Sequence, residues 1–414
     1  MRIDDELASH QGFDAWFARQ WDPALTVAQW WQRLADNRLS APTLPAPWGR
    51  GWDRPTAMAF ITSLLERGAI GPPYGMGHFL VTPTLLAHAR PELIAHFVPN
   101  ILNGQHSWCQ LFSEPGAGSD LAGLQTRAER DGDEWVIHGQ KVWTSGGHFG
   151  DYAMLIARTD PNVPKHAGIT YFLIDMRQPG IDCRPLRECT GDAMFNEVFI
   201  DGARVPAAWV VGEVGDGWRV ANTTLFNERS GIGGGFLAHS PIIAGSVAGF
   251  LDLSAGECAT MKHEGERGNV DFAFLLSAAR ANGSVLRAVV RQKLASLYTY
   301  EKIAAWHLER IKAGSANTGV DGNLAKIRNS AQTVLAREIG SAVLGPDAQL
   351  WGDESPSASL VSRQIVMSTA PSIYGGADQI QRNIIGERGL GLPKEPDPTR
   401  GLAFNQMAQN KVRD

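Results

Sequence analysis

Apolar residues recur every three to four positions over residues 58–67 and 83–102, the spacing of a helix with one buried face. Residues 38–55, rich in proline and glycine, predict a loop before them. Near residue 107 the period changes. Runs at 134–139, 152–157, 169–174 and 197–200 are short and rich in β-branched and aromatic residues. Turn signals such as Asp131-Gly132, Pro179-Gly180 and Asp201-Gly202 separate them. These runs predict a small β-barrel or sandwich over residues 107–213. From Gly217 the helical period returns, with long amphipathic stretches at 284–312 and 324–343. Helices, then strands, then helices predict an α+β multi-domain chain with segregated layers. Its parts are an N-terminal helical domain (1–106), the central β domain (107–213) and a C-terminal helical bundle (214–414). The pattern contains no internal repeat, and it predicts an irregular tail after residue 393.

Composition changes this picture little. The 414 residues suffice for two or three domains around a large core. A net charge of −5 gives no electrostatic footprint for nucleic acid. Cys109, Cys183, Cys189 and Cys258 form no Cys-x-x-Cys pair and no zinc spacing, so disulfides are not expected, which suits a reducing cytoplasm. Asp4, Asp5 and Glu6 stand where an export signal is basic, and the longest apolar run, 241–251, is too short to span a bilayer. The histidines, among them His78, His88 and His96, show no metal spacing. Trp16, Trp21, Trp30, Trp31, Trp48 and Trp52 crowd the first 52 residues. Helix packing is the simpler reading of that cluster; a surface for acyl or ring groups is the alternative.

Three segments carry candidate chemistry. In Trp108-Cys-Gln-Leu-Phe-Ser-Glu-Pro-Gly-Ala-Gly-Ser-Asp120, Gly116 and Gly118 leave a bare backbone that a flat charged ligand can approach. Ser113 and Ser119 add hydroxyls beside exposed N–H groups. The others are Lys141-Val-Trp-Thr-Ser-Gly-Gly147 and Ser372-Ile-Tyr-Gly-Gly-Ala-Asp-Gln-Ile-Gln-Arg-Asn383. In this order and spacing they resemble the acyl-CoA dehydrogenase family of flavoenzymes. The resemblance is clear over residues 108–229 and 372–393. It implies the three-part fold of that family, with a four-helix-type bundle, and FAD as cofactor. Oxidising an acyl thioester between its α and β carbons needs a base, a hydride acceptor and a polarised carbonyl, and no side chain accepts a hydride.

Carried over by motif, the resemblance puts Gln110, Phe112, Ser113, Gly118 and Ser119 against the flavin and its phosphate arm. Ser119 is also a CoA contact. Trp143 packs on the ring, with Thr144 and Ser145 at its edge; the alternative for Trp143 is a buried tryptophan at a strand end. Ala377 and Gln379 meet the flavin phosphates at a helix start, unless Asp378, Gln379 and Arg382 form a plain helix N-terminus.

Many members carry the catalytic glutamate between the Tyr and Gly of the C-terminal motif, where this chain has Gly375. The isovaleryl and long-chain types place it on an earlier helix, and Leu225-Phe226-Asn227-Glu228-Arg229 resembles their segment. Helix spacing supports Glu228 independently. Thr224, Leu225, Gly231 and Ile232 share its face, with Gly235 a turn further on, so the carboxylate faces a cavity that raises its pKa. The alternative is a buried structural carboxylate. Phe226, Arg229, Gly375 and Gly376 are then substrate contacts, with the Gly375 N–H polarising the thioester carbonyl. The missing side chain at Gly375 and the glycine run 231–235 suggest a bulky or branched acyl group.

At the adenine end of the flavin, Ala279-Arg280-Ala281-Asn282-Gly283 and Glu338-Ile339-Gly340-Ser341-Ala342 match the family segments poorly, and Gln292 is a weak substitute. The resemblance therefore implies a homo-oligomer with altered contacts, or a hetero-oligomer with a related chain. It also implies an electron-transferring flavoprotein as electron acceptor. A flavin oxidase or monooxygenase on the same fold, and a non-catalytic subunit, are the rival readings.

Overall fold

The computed structural model describes residues 7, 10–233, 242–261, 270–313, 319–352 and 355–407. Its first layer is helical: α1 (His10–Gln20), α2 (Val27–Asp36), α3 (Arg54–Glu66), a π turn (Gly77–Val81), α4 (Thr82–His88) and α5 (Pro91–Leu102). Thr26 and Gln29 form a capping box that starts α2, and Asp53 accepts from the Thr56 N–H to start α3. The helix expected over 83–102 is broken. Ala89 and Arg90 are extended, and Pro91 disfavours helical backbone at Arg90, the residue before it. The tryptophan cluster is packing. Trp16, Trp30, Trp31 and Trp52 are core, and the Trp30 and Trp31 indoles donate to the Ile70 and Gly71 carbonyls.

Eight strands follow: β1 (Trp108–Leu111), β2 (Arg127–Asp131), β3 (Glu134–Ser145), β4 (Tyr152–Arg158), β5 (Ile169–Asp175), β6 (Ile181–Leu186), β7 (Phe195–Pro206) and β8 (Val210–Val211). They form one mixed sheet in the order β6-β7-β3-β2-β4-β5-β8, with β1 parallel on β4. The sheet curls on itself, since the rings of Trp135 on β3 and Phe172 on β5 meet at 5.6 Å. Cys109, Ala153, Leu155, Phe172 and Val198 fill the inside of the curl. Met154, Ile156, Tyr171 and Leu173 on the opposite face pack against Leu80, Leu85, Phe97 and Val220. Strands β4 and β5 are therefore apolar on both faces, as covered strands must be.

The third part comprises α6 (Gly217–Gly233), α7 (Ala255–Ala259), α8 (Phe272–Ala281), α9 (Ala288–Lys312), α10 (Asp321–Leu344), α11 (Pro356–Met367) and α12 (Asp378–Ile384). Residues 242–258 return to the first layer, where Ile242, Leu251, Ala255 and Cys258 join its core and backbone bonds tie Val27 to Leu253 and Ala255 to Leu25. The tail after residue 393 is irregular as expected, yet Phe404 is buried beneath the Arg158 guanidinium and its N–H donates to the Val163 carbonyl.

Candidate functional site

After β1 the chain makes a tight turn in which the Glu114 and Ala117 backbones bond each other in both directions, with Pro115 and Gly116 at its tip. Cβ atoms built on Gly116 or Gly118 would meet no atom within 4 Å, so the turn faces open space. Gln110 and Ser113 are half-buried, and Ser119 is exposed. The Phe112 side chain is committed to the core, edge-on to Tyr171, so its ring does not face a ligand.

The second segment sits on a β-bulge. The β3–β7 register shifts between Lys141 and Thr144, and Trp143 takes a left-handed backbone with φ +62°. A non-glycine residue there is strained, and such strain concentrates at functional sites. The bulge turns Trp143 outward, 61% exposed, so the buried alternative does not hold. Thr144 is buried, and among the described residues its hydroxyl has no hydrogen-bond partner. Ser145 is half-buried beside it. The Val142 N–H donates to the Ser113 carbonyl at 2.9 Å, joining bulge and turn. A bare glycine turn, an outward indole and an orphaned hydroxyl beside it fit a flat ring with a phosphate arm.

Beneath both segments lies an ion pair that the motif reading passed over. Lys141 is fully buried and its Nζ donates to Glu114 Oε1 at 2.8 Å and to the Phe112 carbonyl at 3.0 Å. Burial opposes ionisation of Glu114, but the Lys141 charge and hydrogen bonds outweigh it and hold the carboxyl below its usual value. Both residues stand inside the quoted motifs, where a charge in an otherwise apolar stretch was the available signal.

Helix α6 packs on the π turn, on α4 and on β5. Thr224 shares hydrogen bonds with Thr84 at 3.0 Å and with the Tyr171 hydroxyl at 3.1 Å, which fixes the rotation of α6. Glu228 lies one turn further along and is half-buried, while Phe226 is 61% exposed. Of the neighbours expected on the Glu228 face, Thr224 is buried and Leu225 packs on the core. The side chain of Arg229 and the residues Gly234 and Gly235 lie outside the described residues.

The third segment is a glycine turn held from below. Gly375 and Gly376 both have left-handed backbones, with φ +63° and +85°. The buried Gln381 amide donates to the Gly375 carbonyl at 2.7 Å and accepts from Asn323 on α10. Asp378 bonds Lys326 at 2.7 Å and Ser330 at 2.9 Å. Burial disfavours its charge, but the bonds from Lys326 and Ser330 prevail and lower its pKa. Ala377 caps α12 by position, and Gln379 is exposed. Gln381, Asn323 and Lys326 were not singled out by motif.

The two segments expected at the adenine end serve the bundle. Asn282 closes α8 and donates to the Val343 carbonyl, and Gly340 lies against Val361 of α11. Gln292 is exposed on α9. Among the described residues no group of three His, Cys, Asp or Glu could hold a metal ion, and no helix is long and apolar enough to cross a membrane.

The family model for the acyl-CoA dehydrogenase middle domain matches residues 109–202, the stretch that carries the turn and the bulge. The chain is similar to the acyl-CoA dehydrogenase FadE34 of Mycobacterium tuberculosis (strain ATCC 25618 / H37Rv), 51% identical over 366 residues, which cover 87% of this chain but 46% of that protein. The chain thus spans about half the length of FadE34. The acyl-CoA dehydrogenase IpdE1 of the same organism is 35% identical over 368 residues, covering 88% of each chain. A variant of the Tcur3481-Tcur3483 steroid ACAD shares the fold, with a TM-score of 0.68 at 25% identity over 92% of this chain and 94% of that one. By its 35% identity to IpdE1 over 88% of each chain, with which the middle-domain match agrees, the chain belongs to the acyl-CoA dehydrogenase family of FAD-dependent oxidoreductases.

Proposed function

We propose that this chain is an FAD-dependent acyl-CoA dehydrogenase that forms an α,β double bond in an acyl-CoA thioester, with Glu228 as base. The observation that carries the reading is the outward, left-handed Trp143 beside the orphaned Thr144 hydroxyl, joined to the glycine turn. Gln110, the Phe112 backbone, Ser113, Gly118, Ser119, Trp143, Thr144, Ser145, Ala377 and Gln379 would hold the cofactor. Bound FAD supplies the hydride acceptor. Glu228 removes the α-proton, and its half-buried place on α6 limits the water that competes for it. The Gly375 N–H polarises the thioester carbonyl, a role a backbone donor fills at about 3 kcal/mol of enolate stabilisation. Phe226, Arg229 and Gly376 bind the substrate, and the absent side chain at Gly375 leaves room for a bulky or branched acyl group. An electron-transferring flavoprotein is the proposed electron acceptor, and the cytoplasm the proposed location.

The adenine-end segments are occupied in bundle packing, and Val289, Ile303 and Trp306 on α9 are exposed, as is Leu286 just before it. Both observations favour an oligomer in which a neighbouring chain completes the flavin site. The half-length match to FadE34 and the paired name of the steroid ACAD support a related chain as that neighbour.

The visible spectrum of the purified chain, followed by anaerobic bleaching with straight and branched acyl-CoA thioesters, tests the proposal. Wild type is expected to bleach and Glu228→Gln to retain flavin without bleaching. Equal bleaching by Glu228→Gln removes Glu228 as base. A chain that takes up no FAD favours a subunit dependent on its partner, and rapid reoxidation in air favours an oxidase.

A further inference from the structure

We propose that Glu114 and Lys141 are positioning residues of the flavin site, locking the glycine turn to the Trp143 bulge in one register. The inference rests on the reading that both segments face FAD. In the sheet, β1 is hydrogen-bonded to β4, so the β1 ladder does not align the turn that follows it with the bulge of β3. Three hydrogen bonds do that instead. They are Lys141 Nζ to the Phe112 carbonyl (3.0 Å), Lys141 Nζ to Glu114 Oε1 (2.8 Å) and the Val142 N–H to the Ser113 carbonyl (2.9 Å). Two of the three belong to the ion pair.

Glu114 also reaches past the turn. Its carboxylate accepts from the Gln125 N–H at 2.6 Å and the Thr126 N–H at 2.9 Å, so one buried group pins both ends of residues 114–126. Lys141 stands two residues before Trp143, at the last paired position before the register shift of the bulge. An apolar pair could fill the same volume, and such replacements are often neutral for stability. It could not hold three backbone groups at hydrogen-bond distance. The pair therefore contributes alignment more than stability.

The surroundings make the two partners unequal. Arg158 is also buried, and Glu114 lies near enough to favour its charge. Removing the carboxylate takes the ion-pair partner from the buried Lys141 ammonium and one of two favourable carboxylates, Glu114 and Asp120, from Arg158. Removing Lys141 leaves Glu114 with Arg158 nearby and two backbone donors.

The test compares FAD dissociation constants, read by recovery of flavin fluorescence, for wild type, Glu114→Gln, Lys141→Met, the double variant and Glu114→Asp. Thermal unfolding of each apo-protein is followed in parallel. The expected result is a rise of at least tenfold for each single variant, larger for Glu114→Gln than for Lys141→Met, with partial recovery in Glu114→Asp. The double variant, which removes both charges and folds where Glu114→Gln fails, is expected to unfold near the wild-type temperature yet still bind FAD at least tenfold more weakly. A double variant that binds FAD as wild type does overturns the positioning role. So does a set of variants whose FAD affinity falls only in proportion to apo-protein stability. A wild type that binds no FAD, either alone or assembled with its partner chain, overturns instead the reading on which the proposal rests.

Discussion

Substituting Gly376 by alanine probes the glycine turn of the candidate site. Two costs are separable. At φ +85° an alanine side chain pays the left-handed penalty, about 1 kcal/mol. The new Cβ would also lie 2.4 Å from the Gln381 amide nitrogen. On a free glutamine that clash would vanish by rotation. Gln381 is 1% exposed, bonds the Gly375 and Gly376 carbonyls at 2.7 and 3.3 Å and accepts from Asn323, so moving it strands buried polar groups. That adds about 1–2 kcal/mol, for a total of about 2–3 kcal/mol. The assay is amide hydrogen exchange across α12, where this cost lowers protection roughly 30- to 150-fold. Gly391 supplies the control, because it has φ +69° and nothing within 4 Å of its Cβ position; Gly391→Ala carries the backbone term alone. In a Gln381→Leu background, Gly376→Ala should likewise cost about 1 kcal/mol. Equal effects of Gly376→Ala with and without Gln381 would refute the reasoning.

Other expectations follow from single contacts. Burial holds the His78 imidazole at a pKa of about 4 against an ordinary 6.5, so the unfolded chain binds the extra proton between those values. The stability it contributes is complete above pH 6.5 and is lost as pH falls through about 4, up to about 3 kcal/mol; guanidinium midpoints from pH 7.5 to 4.5 should fall less steeply in His78→Phe. Gly340→Ala would set a Cβ 2.8 Å from the Val361 Cγ1, prising α10 from α11 at a cost of about 1–3 kcal/mol. Its melting temperature should recover in part when Val361→Ala is added, and no recovery would place the damage elsewhere. Phe404→Ala removes the ring beneath Arg158 that anchors the tail, so proteolytic cleavage after residue 393 should quicken while the melting temperature of the rest holds.

What was legible in the sequence was periodic. Strands β3, β4, β5 and β7 announced themselves because buried and polar positions alternate or because both faces are apolar. Strand β2, Arg-Ala-Glu-Arg-Asp, buries Ala128 alone, and β6 carries Pro185, so neither left a signal above that of a loop. Strand β1 hid inside the motif that follows it. The curl of the sheet and the return of residues 242–258 to the first layer are contacts between distant positions, which local pattern does not encode.

The site was legible by a different route and to a different depth. Motif spacing located the three segments, but it ranked their residues by type, favouring glycines, serines and the tryptophan. The structure shows a second set in the same strings that hold the first in place: Glu114 and Lys141 under the turn and bulge, Gln381 under the two glycines. Lys141 and Gln381 bond backbone carbonyls of residues already singled out, Phe112, Gly375 and Gly376, while Glu114 takes Lys141 and the Gln125 and Thr126 N–H groups. Backbone partners leave no chemical signature in sequence, so these residues read as incidental polar positions. Trp143 shows the converse. A tryptophan between Lys141 and Thr144 on a strand reads as buried, and only a register slip that forces φ to +62° turns it outward. The local rule fails at Trp143 because the bulge overrides it, and backbone strain of this kind concentrates at functional sites.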